Sequence, residues 1–251
     1  MTSIGTGYDY AVSTYSPDGR VFQIEYASKA VDNSGTAIGI RAKDGVVFAV
    51  EKLAQSKLQV PGTNQRIQGV ERHLGMATSG LLSDAKQLVT RARSDALNYR
   101  NSYSASIPVK TMAEQLGMFM HAYTIYSGAR PYGCSVVLGG MDDEGPQLYM
   151  IDPSGSYWGY RGCASGKGKQ VARTELEKLK FDELSARQAI KEATRIIYSA
   201  HDEAKDKEFE LELVWISAET NGRFERVSKE MVAEAEAYTQ ALLNAEMDDD
   251  E

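Results

Sequence analysis

The order of turn-forming residues along this chain constrains its fold more than any other feature. Asp44-Gly45 separates two short apolar runs, Thr36 to Arg41 and Val46 to Val50. Asp-Gly between such runs is a strong hairpin signal, because both turn positions tolerate positive φ. A second β pair, Ile67 to Val70 and Leu74 to Ala77, leads into Ser79-Gly80. Two helices follow, marked by Leu81, Ala85, Leu88 and Ala92 and then by Met112, Leu116, Met120 and Tyr123, with Pro108 in the break between them. Strands resume at Ser135 to Leu138, Leu148 to Ile151 and Ser156 to Ala164, separated by the turn formers Asp142-Asp143-Glu144-Gly145 and Asp152-Pro153-Ser154-Gly155. Helices are then predicted over Lys169 to Leu179 and Ala186 to Ala204, strands over Leu211 to Ile216 and Phe224 to Val227, and a last helix from Ser228.

Hairpins, a helix pair, hairpins, a helix pair and a hairpin do not alternate as a parallel α/β sheet would. They predict an α+β domain in which antiparallel sheets are covered by paired helices. One further helix precedes the first hairpin. Ser16-Pro17 offers an N-cap and a first-turn proline, and Phe22, Tyr26 and Ala30, with Ala27 and Val31 beside them, give an apolar stripe. At 251 residues with no repeat and no linker, the chain reads as one domain. The acidic run Met247-Asp248-Asp249-Asp250-Glu251 reads as a solvated end.

A formal charge of −7 argues against a nucleic-acid or anionic-membrane surface, which needs clustered Lys and Arg. Cys134 and Cys163 make neither a metal spacing nor a disulfide framework, which favours a reducing compartment. With no basic-plus-apolar leader and no bilayer-length apolar run, the expected location is cytoplasmic, nuclear or both.

The sequence offers no enzyme constellation. Gly162-Cys163-Ala164-Ser165-Gly166-Lys167 resembles a phosphate loop, but has three residues between its glycines where four are needed, and Gly168 follows the Lys where Ser or Thr should stand. A strand-to-helix turn of small residues is the better reading. His73, His121 and His201 are isolated in sequence, with no carboxylate or second His at ligand spacing. Ser79, in Ala77-Thr78-Ser79-Gly80, is not a nucleophile elbow. Tyr outnumbers Phe by 14 to 6, which suits either protein interfaces or buried hydrogen-bonded positions. No catalytic, metal or cofactor site is expected.

The opening residues Gly7-Tyr8-Asp9, Ser16-Pro17-Asp18-Gly19-Arg20 and Gln23-Ile24-Glu25-Tyr26-Ala27 resemble the signature of α subunits of the proteasome core particle. The resemblance continues through Gly35-Thr36-Ala37-Ile38-Gly39-Ile40, Lys43-Asp44-Gly45-Val46-Val47, Ser79-Gly80-Leu81, Arg130-Pro131-Tyr132-Gly133 and Asp152-Pro153-Ser154-Gly155. Ile4-Gly5-Thr6-Gly7-Tyr8-Asp9, Asp206 to Leu213 and the acidic end resemble one paralogue, that of the seventh position of the eukaryotic α ring.

The resemblance implies a four-layer αββα sandwich of the N-terminal nucleophile hydrolase type, with an extra N-terminal helix. It divides the chain into a domain over 1–246, whose residues 1–34 form a gate segment and helix, and an acidic tail over 247–251. It implies a structural, non-catalytic subunit that builds heptameric rings with other α and β subunits, helps gate substrate entry and docks regulatory particles in ubiquitin-dependent degradation, with no nucleic acid, membrane or cofactor. In the catalytic β relatives a threonine exposed by cleavage begins the first strand, activated by its own amine and a Lys, with an Asp assisting. The matching Lys43-Asp44-Gly45-Val46 turn puts Gly35 at the nucleophile's position, Glu51 at that of the Asp and Gln65-Arg66 at that of the Lys. Tyr8, Asp9, Pro17 and Tyr26 correspond to the cluster that stabilises the open gate. Arg66 and Gly80 correspond to the pocket between adjacent subunits that takes an activator's C-terminal carboxylate. Two positions depart from the pattern: Tyr10 stands where Arg is usual, and Arg66 where Lys is usual. The competing readings are a β-type threonine peptidase, processed before Thr36, and a free-standing scaffold using its tyrosines and acidic end.

Overall fold

The computed structural model describes residues 7–53, 58–60, 62–201 and 209–249, with side chains to residue 242. In chain order the elements are α1 (Phe22–Asp32), β1 (Ala37–Ala42), β2 (Gly45–Leu53), β3 (Ile67–Glu71), β4 (Leu74–Gly80), α2 (Leu82–Tyr103), α3 (Val109–Ala122), β5 (Cys134–Asp142) and β6 (Gly145–Ile151). They continue with β7 (Tyr157–Gly159), β8 (Gly162–Ser165), α4 (Lys169–Glu177), α5 (Ala186–Ala200), β9 (Phe209–Ser217), β10 (Glu225–Arg226) and α6 (Lys229–Asp249).

The strands form two five-stranded antiparallel sheets, ordered β10-β9-β2-β1-β8 and β3-β4-β5-β6-β7. The Asp44-Gly45 turn closes the first hairpin with Ala42 opposite Gly45, and β9 then pairs along the whole of β2, from Gly45↔Ser217 to Leu53↔Phe209. Two-residue side-chain alternation sorts each strand between layers. On β2, Val46, Phe48 and Val50 face the other sheet, together with Val214 and Ile216 of β9 and Val137 and Leu148 across the gap. Val47 and Ala49 face outward onto Ile190, Ala193 and Ile197 of α5, with Leu213 and Trp215 of β9 in the same cluster. The second sheet is covered by α2 and α3 through Leu88, Ala92, Met112, Leu116 and Met120. Three apolar layers between four structural layers give the αββα sandwich expected from the resemblance, and α1 lies outside it as an extra element. The sheets are also joined by a polar contact, Ser79 Oγ of β4 to Ser165 Oγ of β8 at 2.6 Å.

Four expectations are corrected or bounded. Ser16-Pro17 does not start α1: Ser16 closes a tight turn, its carbonyl accepting from Gly19 N and its Oγ from Arg20 N, and the helix begins at Phe22. The physical reason is that Gly19 turns the chain sharply before the apolar stripe begins, so the Ser side chain serves that turn. The single strand expected over Ser156 to Ala164 splits, β7 pairing with β6 in one sheet and β8 with β1 in the other, so Tyr160-Arg161 crosses between layers. Helix α5 stops at Ala200, and the expected extension to Ala204, like Asp206 to Glu208 and Ile4 to Thr6, enters residues outside those described. Helix α6 continues to Asp249, so the expected tail boundary at 247 falls within helical backbone, and residues 250 and 251 lie outside the described residues.

Candidate functional site

The two groups of candidate residues lie at opposite ends of helix α1. Near its start, Tyr26 Oη donates to Asp9 Oδ2 at 3.2 Å, and Gln23 Nε2 donates to the Asp9 carbonyl, which ties the segment before the helix to the helix itself. Desolvation first, and then the Asp9 carboxylate, raises the Tyr26 hydroxyl above the ordinary tyrosine value, so it stays a neutral donor. Arg20 pairs with Glu25 in a two-point contact, Nε to Oε1 and Nη2 to Oε2, and places its cation 5.0 Å from the centre of the Phe22 ring, which fixes the turn against the first helical turn. Of the four cluster residues the fold therefore brings Asp9 and Tyr26 together. Tyr8 is 42% exposed and Pro17 lies in the exposed turn, so both present outward. Tyr10 is 88% exposed.

The other end of α1 forms one wall of a cleft of about 590 Å³, lined by Asn33 and Ser34 from α1's end, Asn64 and Arg66 from the approach to β3, and Gly80 and Leu81 from the β4–α2 junction. Arg66 and Gly80, matched only by resemblance, thus share one cleft. Arg66 Nη1 donates to the Gly80 carbonyl at 2.6 Å, while Gly80 N donates to Ser34 Oγ at 2.7 Å. Gly80 has φ +103°, and a Cβ there would lie 2.2 Å from the Gly133 carbonyl, so only glycine fits. Burial pulls the Arg66 guanidinium below the ordinary arginine value, yet it remains a cation. Its other N–H groups have no hydrogen-bond partner among the described residues. The N-terminus of α2 opens beside it, and Leu81 at the N-cap offers no side-chain cap.

The rim of this cleft is held by Asp84 in the first turn of α2. Its carboxylate takes both arms of Arg130, at 2.7 and 2.9 Å, and the Gly133 N–H at 2.9 Å. The Arg130 hydrogen bond, assisted by Gly133, holds Asp84 below the usual carboxylate range. Leu81 N in turn donates to the Gly133 carbonyl at 2.9 Å. This gives Arg130-Pro131-Tyr132-Gly133 a physical role that the sequence did not reveal: it clamps the Gly80-Leu81 junction.

Gly35, which the resemblance matched to the nucleophile's position, has no space for a side chain. A Cβ there would lie 2.1 Å from the Glu51 carbonyl oxygen. The chain on either side is hydrogen-bonded as ordinary backbone: Lys167 N donates to the Ser34 carbonyl at 2.9 Å and Glu51 N to the Thr36 carbonyl at 2.8 Å. Thr36 Oγ1 accepts from Gly168 N at 3.0 Å. A β-type threonine mechanism needs a free amine and a hydroxyl at this point, and neither is offered. Glu51, matched to the Asp only by resemblance, accepts Thr36 N at 2.9 Å through Oε2 and meets His201 Nδ1 at 2.5 Å through Oε1. His201 is therefore not isolated, contrary to its reading from sequence, because pairing across 150 residues has no local signal. His73 faces the Ile107 carbonyl at 2.8 Å, and His121 lies beside Thr124.

No group of three or more metal-ligating side chains converges among the described residues, and no described helix is long and apolar enough to cross a membrane. Both cysteines are buried, which pushes each thiol up to about 12 and leaves it unreactive at neutral pH.

Known proteins share both the sandwich and the segment before it. The proteasome family model matches residues 31–216, and the N-terminal signature of A-type proteasome subunits matches residues 8–30. The chain is 54% identical over 248 residues to the proteasome alpha type-3 subunit of Dictyostelium discoideum, covering 98% of this chain and all of the relative. It is 57% identical to the alpha type-3 subunit of Acanthamoeba castellanii, over 98% of each chain, and 55% identical to that of Spinacia oleracea over the full length of both. The A-type signature covers the segment that pins Asp9 to Tyr26, and the larger match runs through Gly35 and the two-sheet core. This chain is a non-catalytic member of the proteasome subunit family, on its α branch.

Proposed function

We propose that the chain holds one place in the α ring of a proteasome core particle, that its Tyr8, Asp9, Pro17 and Tyr26 cluster acts with neighbouring subunits on the entrance, and that its Arg66–Gly80 cleft receives the C-terminal carboxylate of a regulatory particle or activator. The particle would work in the cytoplasm and nucleus, in ubiquitin-dependent degradation. Assembly is supported by family membership and by near full-length likeness to alpha type-3 subunits. The gate reading is supported by a cluster half built within one chain, with Tyr8 and Pro17 turned outward where a neighbour could complete it.

The observation that carries the docking reading is the placement of Arg66. A guanidinium with donors unpaired among the described residues faces the same cleft as a helix N-terminus without a side-chain cap, and both favour an anion. The test is photo-cross-linking of an activator tail peptide to this chain within the assembled particle. Arg66→Ala is expected to weaken binding by about tenfold or more, as loss of a charge-assisted hydrogen bond would. Amidation of the peptide's C-terminus is expected to weaken it similarly in the wild type. Equal binding of free and amidated tails would overturn the reading.

A further inference from the structure

Strand β9 contains Glu210-Leu211-Glu212-Leu213, whose alternation sends its two carboxylates to one face. That face carries Val214 and Ile216 into the layer between the sheets. Glu212 occupies its outer end and is 3% exposed, whereas Glu210 is exposed. A carboxylate buried there requires partners. Lys52, on the same face of β2, places Nζ 4.0 Å from Glu212 Oε2 and 2.8 Å from Glu210 Oε1, and Arg226 Nη1 of β10 lies 3.1 Å from Glu212 Oε1.

The remaining contact crosses between the sheets. Arg66 N donates to Glu212 Oε2 at 2.8 Å, over a sequence separation of 146 residues. The Arg66 carbonyl is held on its other side by both Thr78 N and Thr78 Oγ1, each at 3.1 Å, from β4. The peptide groups of Arg66 are therefore clamped by one sheet through the N–H and by the other through the C=O. From this fixed point its side chain runs toward Gly80, where Nη1 reaches the carbonyl at 2.6 Å.

We propose that Glu212 is a positioning residue for the docking cleft: by accepting the Arg66 N–H it sets the point from which the guanidinium meets a tail carboxylate. This rests on the docking reading of the cleft given above. It assigns work to the acceptor geometry of Glu212 and not to its charge, which separates it from a role in simply neutralising Lys52.

The test compares Glu212→Asp with Glu212→Gln in the assembled particle, using an activator tail peptide with a free C-terminal carboxylate and a photo-reactive group, and counting cross-links to this chain. Gln keeps an oxygen at the reach needed for the Arg66 N–H, while Asp keeps the charge but withdraws the acceptor by one methylene. Glu212→Gln is expected to bind within about threefold of the wild type and Glu212→Asp about tenfold more weakly, the size of losing the charge-assisted hydrogen bond between a displaced guanidinium and the tail carboxylate. In an Arg66→Ala background the Asp variant is expected to add no further loss, since its effect passes through Arg66. The opposite order, with Gln weaker than Asp, or an undiminished Asp effect in the Arg66→Ala background, would overturn the proposal. The docking reading itself fails separately, if Arg66→Ala alone leaves tail binding unchanged.

Discussion

His201 Nδ1 at the end of α5 lies 2.5 Å from Glu51 Oε1 of β2, and the second oxygen of the same carboxylate accepts the N–H of Thr36, the residue after Gly35. Both side chains are buried. The carboxylate that the family resemblance matched to a catalytic Asp thus serves here as a structural clasp. The clasp joins the outer helical layer to the start of β1, and it uses the peptide N–H of Thr36 as an ordinary donor.

Removing the clasp is expected to loosen the start of β1 before anything else. Glu51→Ala would leave the Thr36 N–H and the His201 ring buried without their acceptor, a loss of about 1.5–3 kcal/mol. Amide exchange at Thr36 in the assembled particle should then rise by roughly tenfold or more. Glu51→Gln should be milder, because its amide oxygen can still accept from Thr36 while its NH₂ meets His201 in the other tautomer.

Restoring a hydroxyl should not restore catalysis. In Gly35→Thr the new Cβ would press within 2.1 Å of the Glu51 carbonyl, on backbone that cannot swing aside. The expected outcome is a chain destabilised by roughly 3 kcal/mol or more, with no hydrolysis of fluorogenic peptides at this subunit and no cleavage before residue 36. Peptidase assay in a particle whose β sites are blocked, together with N-terminal sequencing of this chain, checks both.

The Asp84–Arg130 pair makes stability pH-dependent in a defined direction. Asp84 is held below the ordinary carboxylate range in the folded chain, so its contribution is complete above about pH 4 and is lost as pH falls through the lower folded value. Asp84→Asn should cost about 1.5–3 kcal/mol at neutral pH, and the gap from the wild type should close in acid. Thermal unfolding of the two forms, compared at neutral pH and below about pH 4, reads this directly.

The layered fold was legible because two local signals carry it: turn residues at hairpins and the spacing of apolar residues on strands and helices. Asp44-Gly45 and the stripe of Met112, Leu116 and Met120 are examples, and each appears in the structure as read. The errors fall where a local signal had two uses. Ser16-Pro17 can cap a helix or close a turn, and the Gly19 turn decided the matter. The run Ser156 to Ala164 has strand character throughout, but nothing in it announces that Tyr160-Arg161 passes from one sheet to the other.

The site was less legible for the same reason. Arg66 and Gly80 could be paired only through the family resemblance, since the β3–β4 pair brings their backbones near but carries no signal that the Arg66 side chain turns to the Gly80 carbonyl. The groups that hold them, Ser34, Asp84 and Glu212, act across 46 to 146 residues of sequence. Glu212 did leave a trace. In a β run that alternates Glu and Leu, a carboxylate in phase with Val214 and Ile216 must point into the protein and find a partner there.

The central claim is that this chain is built to assemble and to admit, and not to cut. Native mass spectrometry of the purified particle, followed by release and intact-mass measurement of this subunit, tests it most directly. The account predicts a barrel-sized assembly that contains the chain with Tyr8 to Asp32 retained. A stable lone monomer in cell extract, or a chain in the particle that begins at Thr36, would contradict it.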